Sequence, residues 1–380
     1  MIRVAVVGIG RMGGKHARNF CKGAVGNARL VAVCDTDAKV CETFAAKHAD
    51  VAVYTDLDKM LSETPLDAVV VATPHYSHSA IAKKALEKGI SVLVEKPITV
   101  TVKDALALVD VAKAHPEAIF AIMYNQRSNS IYARAKKIIE SGKLGDLQRA
   151  SFTVTDWYRT QYYYNMGGWR ASWSGEGGGT LINQCVHQLD ILQWLLGMPE
   201  KIISRCKTAG RNITTENDVT ALFLYKDFDC VFTASTHELP GENRFVIVGS
   251  KGTLVITRHK AVCKFLKMDE KEVNARATRD YGNRKDKKYV KKRMYYGIGN
   301  YLTDALYGQQ CNILRDFAAA VEKKDASLLR ARGEEGLNAL NIINAINASA
   351  WTGHTVDVPV DPEKYEKMLA EKIESEKKTK

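Results

Sequence analysis

The 380-residue chain has no pair of cysteines spaced C-x-x-C, although it carries eight of them. They stand singly at positions 21, 34, 41, 185, 206, 230, 263 and 311, mostly inside apolar segments, so neither a zinc site nor a disulfide framework is indicated. No metal is expected. Apolar runs long enough for a membrane-spanning helix, roughly 18 residues, are absent, and no membrane partner is expected. The opening MIRVAVVGIG reaches a glycine by position 8, too soon for a signal peptide, which leads to an expected cytoplasmic location. Internal repeats and low-complexity linkers are also lacking. Acidic residues are in deficit, 43 against 55 basic ones, for a net charge of +12. Much of that excess is local, in RKDKKYVKKR from Arg284 to Arg293, read as a solvated loop or one that attracts an anionic surface or ligand. Groove-reading and aromatic nucleic-acid motifs are missing, so no nucleic-acid partner is expected.

What is present is ordinary for a globular protein: 46% hydrophobic and 26% charged residues, with length for two domains. Up to about residue 123, short β-branched runs (2–7, 30–34, 68–71, 91–95, 118–122) alternate with amphipathic stretches. That alternation predicts an α/β domain with a parallel sheet covered by helices. From residue 147 the runs grow longer and alternate in polarity (147–158, 218–224, 230–237, 245–248, 253–257), predicting an antiparallel, hairpin-built sheet in an α+β part. A helix is expected over 180–196 and another over 336–351. The stretch from about 268 to 302 has no regular pattern. The expected division is 1–123, 124–361 and a charged helical tail, 362–380, that docks loosely or frays.

Gly8-Ile9-Gly10-Arg11-Met12-Gly13 follows the first strand and opens a helix. In such a G-x-G-x-x-G the first glycine makes the turn, the second admits a pyrophosphate and the third lets helix and strand touch. The anion then meets free N–H groups at a helix N-terminus. The second strand ends at Asp35, twenty-two residues beyond Gly13, where a carboxylate accepts hydrogen bonds from ribose hydroxyls and repels a 2′-phosphate. The cofactor expected is NAD.

Ala72-Thr73-Pro74 with His78 follows the next strand pattern, and Glu95-Lys96-Pro97 the one after. With the glycine motif and GEGGGTLINQCVHQLDILQWLLG, these segments resemble the Gfo/Idh/MocA oxidoreductases, the glucose-fructose oxidoreductase and inositol dehydrogenase family, over nearly the whole chain. The resemblance implies an N-terminal Rossmann domain, doubly wound about a parallel sheet, and a C-terminal α/β domain on a large open, mostly antiparallel sheet. A homodimer or homotetramer is also implied.

In that family the EKP lysine lies beside the nicotinamide and the substrate hydroxyl, a role that falls here on Lys96. Taken alone, Lys96 reads equally as a surface lysine after a strand. Thr73, Pro74, His78, Glu95 and Asn125 join the expected cofactor contacts. The family's D-x-x-x-H reads Asn183-x-x-x-His187 here, a spacing that puts both side chains on one helical face. His187 is the expected acid/base, because imidazole titrates near neutrality. An isolated helix histidine is otherwise a core residue. Asn183 can orient a sugar hydroxyl but cannot take its proton. Asp190, one turn on, is read as orienting the histidine or its own helix.

Met123-Tyr124-Asn125-Gln126-Arg127 matches the family's crossover between domains, which places Tyr124 and Arg127 toward the substrate. Asp156, Trp157, Arg159, Tyr163, Trp169 and Arg170 combine aromatic faces with hydroxyl-holding charges, as a carbohydrate site does. A core strand with an aromatic loop at a subunit interface would use the same residues. The resulting expectation is an NAD-dependent dehydrogenase of a pyranose or glycoside, oxidised at C3 as in the glycoside 3-dehydrogenases. An inositol dehydrogenase, a retained-NAD hydrolase or epimerase, and a non-catalytic dinucleotide or sugar sensor remain alternatives.

Overall fold

A computed structural model describes residues 1–297 and 305–379. Six parallel strands, β1 (Ile2–Val7), β2 (Ala28–Cys34), β3 (Ala52–Tyr54), β4 (Ala68–Val71), β5 (Ser91–Val94) and β6 (Phe120–Ile122), form a sheet in the order β3-β2-β1-β4-β5-β6. Strands β4 (AVVV) and β5 (SVLV) are buried throughout, as central parallel strands covered on both faces must be. Period-two alternation divides their side chains between two cores. Ala5, Val7, Val69, Val71, Val92 and Val94 pack with Leu86 and Leu108, while Val4, Val6, Val70 and Leu93 pack with Phe20, Leu314 and Phe317. The last two come from helix Gln310–Lys323, which returns to cover the first sheet from late in the chain. Sequence reading had no sign of that return.

Nine strands make the second sheet: β7 (Leu147–Val154), β8 (Lys201–Lys207), β9 (Asp218–Leu224), β10 (Asp229–Ser235), β11 (Asn243–Gly249), β12 (Gly252–Thr257), β13 (Lys260–Leu266), β14 (Tyr289–Tyr295) and β15 (Val356–Asp357). Their order is β14-β13-β12-β11-β7-β10-β9-β8-β15. The sheet is mixed: β10 runs parallel to β7, and the other pairs are antiparallel. Phe152, Phe223, Phe232 and Phe245 occupy four adjacent strands on one face, and Phe152 stacks on Phe245 at 4.3 Å. Burying each such ring contributes on the order of 1.5–3 kcal/mol.

Four expectations need correction. The strand expected over 147–158 ends at Val154, because β10 stops at Ser235 and β11 starts at Asn243, leaving no ladder partners beyond. The helix expected over 180–196 is two helices, Thr180–Asn183 and Val186–Leu196, joined by a wide turn in which Cys185 N–H reaches back five residues to the Thr180 carbonyl at 2.8 Å. The basic segment is not all loop, since its second half forms edge strand β14, pairing with β13; the neighbouring positions 298–302 lie outside the described residues. The tail is helix Pro362–Thr379 and is firmly docked, with Tyr365 fully buried and the Glu376 carboxylate receiving Trp173 N–H and Ser174 N–H, each at 3.1 Å. All eight cysteines are free, and no helix among the described residues is long and apolar enough to cross a membrane.

Candidate active site

The strand order reverses between β1 and β4, and ligands of such sheets bind in the crevice beyond the strand ends at that point. Gly8, just after β1, has φ +82°, and a Cβ there would come within 2.7 Å of the Ala72 carbonyl oxygen. A Cβ at Gly13 would lie 1.7 Å from Gly8 O, whereas one at Gly10 meets open space. The two outer glycines therefore serve packing, and the middle one leaves room for a ligand. Helix α1 (Arg11–Cys21) begins there with Gly10 as N-cap and no side chain on its first N–H groups. Exposed Arg11 and half-buried Met12 flank this start. Asp35 Oδ2 accepts Ile9 N–H at 2.8 Å and Oδ1 accepts Asp37 N–H at 3.0 Å. Each oxygen keeps a lone pair for a ribose hydroxyl. An open glycine, an uncapped helix start and a fixed carboxylate together fit a dinucleotide.

The remaining expected cofactor residues divide. Thr73 lies against Gly8, its hydroxyl accepting from Ser77 Oγ at 2.8 Å, and Pro74 is exposed beside it. Asn125 is buried and donates to Gln309 Oε1 at 3.2 Å. His78 does not face a ligand. It is 1% exposed, with its ring nitrogens each 2.8 Å from a carbonyl, Pro97 O and Thr73 O, so it ties together the loops after β4 and β5. Burial lowers its pKa against the pull of those two carbonyls. Glu95 is an anchor as well: Oε1 meets His16 Nε2 at 2.7 Å, and Oε2 accepts Lys96 N–H at 3.1 Å. His16 escaped sequence reading, although its place three residues after Gly13 puts it directly under the glycine loop.

Lys96 Nζ donates to the Asn183 backbone carbonyl at 2.8 Å. Burial lowers the lysine's pKa, opposed by Glu95 and Glu176 and assisted by Arg170 and Arg159. Burial, and then the Lys96 charge, pushes His187 down to about 3, so its imidazole is neutral across the physiological range. His187 Nδ1 is enclosed without a hydrogen-bond partner. The wide turn between the two helices means that Asn183 and His187 do not share one regular helical face, contrary to the spacing argument.

The Asn183 amide donates to Glu176 and, at 3.4 Å, to the Tyr163 hydroxyl. That hydroxyl also accepts from Arg170 Nη1 and Gln184 Nε2, both at 3.1 Å. The Arg170 guanidinium stacks on Trp169 at 4.7 Å and on Tyr163 at 5.1 Å, and Arg159 lies 4.7 Å over Tyr163 and 5.3 Å over Trp157. Alternating rings and guanidinium groups thus form a continuous wall. A cavity of about 480 Å³ flanks it, lined by Gln126, Asp156, Trp157, Gln188 and Tyr296 among others. Lys96 and His187 are not among its lining residues.

Arg127 is tied up inside the protein, whereas the Tyr124 ring meets His187 edge-on at 6.5 Å. Arg127 is 2% exposed, forked onto Asp190 at 2.7 and 3.0 Å, with Nη1 on Glu335 at 2.8 Å. The turn Asn125–Ser128 faces helix Val186–Leu196 and draws the guanidinium inward between Tyr124 and Trp194. Asp190 is spent on Arg127 and Gln193 and does not orient His187. Tyr124 is 1% exposed, its hydroxyl turned to Gly336 O at 3.5 Å. Glu176 and His75 were missed because only the tertiary fold brings them to the site; Gln184, beside Asn183, was given no role of its own because its partner Tyr163 is twenty-one residues away.

Fold and cradle define an NAD-binding oxidoreductase. Residues 2–122 match the model of the "Oxidoreductase family, NAD-binding Rossmann fold", and residues 132–255 match the "GFO/IDH/MocA C-terminal domain". The chain belongs to the GFO/IDH/MocA family. It is 28% identical over 270 residues to scyllo-inositol 2-dehydrogenase (NAD(+)) of Bacillus subtilis, covering 69% of this chain and 76% of that one. It is 36% identical over 146 residues to inositol 2-dehydrogenase 1 of Saccharopolyspora erythraea, a match that spans 38% of this chain and only 43% of the relative. Among solved structures, the WlbA dehydrogenase of Bordetella pertussis with NADH and UDP-GlcNAcA superposes with TM-score 0.78 at 25% identity, covering 95% of this chain and 98% of that one. Levoglucosan dehydrogenase with NADH and levoglucosan shares the fold, with TM-score 0.73 at 20% identity over 94% and 99% of the two chains.

Proposed function

We propose that the chain oxidises a secondary hydroxyl of a pyranose or glycoside, at C3. The observation that carries this reading is the meeting of Lys96, Asn183 and the ring-and-guanidinium wall of Trp157, Arg159, Tyr163, Trp169 and Arg170. Aromatic faces cover the C–H side of a sugar or an aglycone ring, and the guanidinium groups and Asp156 hold hydroxyls. NAD, when bound, supplies the hydride acceptor.

The chain's own residues manage the hydroxyl proton. His187 and Lys96 act as a pair, in which burial and then the Lys96 charge keep the imidazole neutral. His187, held neutral, accepts the hydroxyl's hydrogen bond, and Lys96 is where the proton comes to rest. Asn183 orients the hydroxyl. Alcohol oxidation therefore requires the pair to have released a proton and speeds up as pH rises through that step.

The C3 position follows from the resemblance to glycoside 3-dehydrogenases. An inositol is the second reading, favoured by the likeness to the Bacillus subtilis dehydrogenase. Exposed Ile203 and Val231, each 42% accessible on strands of the open sheet, support a homodimer or homotetramer packed through that face. The test is a panel of free pyranoses, aryl glycosides and inositols with NAD, followed by NADH absorbance and product mass. A glycoside losing two hydrogens with NADH release supports the reading; oxidation confined to inositols overturns it.

A further inference from the structure

Glu176 sits in the glycine run that enters helix Thr180–Asn183, and it is 2% exposed. Donors surround its carboxyl. Ala171 N–H reaches Oε2 at 2.7 Å, the Asn183 amide N–H reaches Oε1, and Arg170 Nη1 stands 3.9 Å from Oε1. Burial raises the pKa of this carboxyl, and the Ala171 N–H, the Arg170 charge, the Asn183 amide and the Lys96 charge all oppose that rise and favour the carboxylate. Its main-chain carbonyl also meets His75 Nδ1 at 2.9 Å, so the residue is fixed at both ends.

Position 183 carries an amide, and an amide placed beside a carboxylate has only one favourable orientation. Nδ2 must face Glu176, which leaves Oδ1 as the acceptor presented elsewhere. The same carboxylate steadies Arg170 against Trp169 and Tyr163 and lies within electrostatic reach of Lys96.

We propose that Glu176 is a positioning residue that aims Asn183 and Arg170 at the substrate and balances the charge of Lys96, supplying from the glycine run the carboxylate that position 183 lacks. The inference rests on Lys96 belonging to the reacting site. Other charges and titratable groups facing Lys96 are Glu95, Arg159, Arg170, His75, His78 and His187. Of these, Glu95 is a second carboxylate and the larger of the two influences that raise the Lys96 pKa; its oxygens are held by His16 and the Lys96 N–H, so its charge is the same in wild type and in a Glu176 variant. Removing the Glu176 charge lowers the affinity of Lys96 for its proton. Free amine then persists to lower pH.

The test labels the full-length protein with trace acetic anhydride across a pH series and follows acetylation of the Lys96 peptide by mass spectrometry. The midpoint reports the lysine's titration and needs no substrate, so a failure here is separable from absence of turnover in the glycoside panel. Glu176→Gln is expected to move the midpoint down by about one pH unit. Adding Asn183→Asp to that variant returns it toward wild type. A midpoint unmoved in a Glu176→Gln protein that still binds NAD overturns the proposal. Should the amide variant not fold, Glu176→Asp draws the charge back by one methylene; a smaller downward shift supports the proposal, and no shift overturns it.

Discussion

Lys96 Nζ and the main-chain oxygen of Asn183, 2.8 Å apart, join the loop after β5 to the wide turn between helices Thr180–Asn183 and Val186–Leu196. One hydrogen bond thereby couples the cofactor-side lysine to the substrate-side helix. Lys96→Met removes this charge-assisted hydrogen bond at a stability cost of about 1.5–3 kcal/mol, offset in part because an ammonium group no longer has to be buried. Turnover is expected to fall on the order of 10²–10⁴-fold. Steady-state rates compared with the melting temperature separate the two effects, and a variant that loses both together would make Lys96 structural.

The glycine loop gives a contrast between neighbours. Gly10→Ala adds a methyl group in open space, so the fold is expected to stand while NAD affinity falls. Gly13→Ala drives a methyl group onto Gly8 O and is expected to lower the melting temperature even without NAD. Calorimetric titration and thermal melts of both variants check the pair.

Asp35 holds Ile9 and Asp37 N–H groups as well as the expected ribose. Asp35→Ser is expected to cost NAD binding on the order of 1.5–3 kcal/mol, a roughly tenfold to hundredfold loss in affinity. Combining it with Thr36→Arg is expected to admit NADP. An unchanged NAD preference would place the carboxylate away from the ribose.

The alternation of buried runs and helices, the glycine loop and Asp35 were legible because parallel strands covered on both faces must be apolar throughout, and because a phosphate turn needs glycine at fixed spacing. The inward fork of Arg127 onto Asp190 was not legible because a run of polar residues at a strand end does not say which side each one faces. Only the packing of Asn125–Ser128 against helix Val186–Leu196 decides that. Glu176 carried no local sign, since its partners, Asn183 and Lys96, are set by the turn of one helix and the end of a distant strand. Helix Gln310–Lys323 is likewise amphipathic toward a sheet built from the first third of the chain.

Arg127 supplies a stability test. Arg127→Ala strands the buried Asp190 carboxylate and is expected to cost about 3–5 kcal/mol in denaturant unfolding. Replacing Arg127 and Asp190 together by apolar residues is expected to recover part of that loss. Substrate KM in the folded double variant should remain near wild type, as Arg127 does not reach the site.

His187 makes the fold acid-sensitive. Burial, and then the Lys96 charge, depress its pKa from the ordinary 6.5 to about 3, so the unfolded chain binds a proton that the folded one refuses. Stability therefore falls as pH drops below 6.5, by up to about 2 kcal/mol from this group at pH 5. His187→Gln is expected to flatten the pH dependence of the melting temperature between pH 6.5 and 5. A slope identical to wild type would show that the imidazole titrates normally.

The proposed reaction removes hydride from C3 of a glycoside. An aryl glucoside carrying deuterium at C3, incubated with NAD and the wild-type protein, tests it in one mass-spectrometric measurement of the nucleotide. NADH one deuterium heavier is expected, formed on the order of 10²–10⁴-fold more slowly by the Lys96→Met variant. Unlabelled NADH from the wild-type protein, or an unchanged glycoside in the presence of bound NAD, would contradict it.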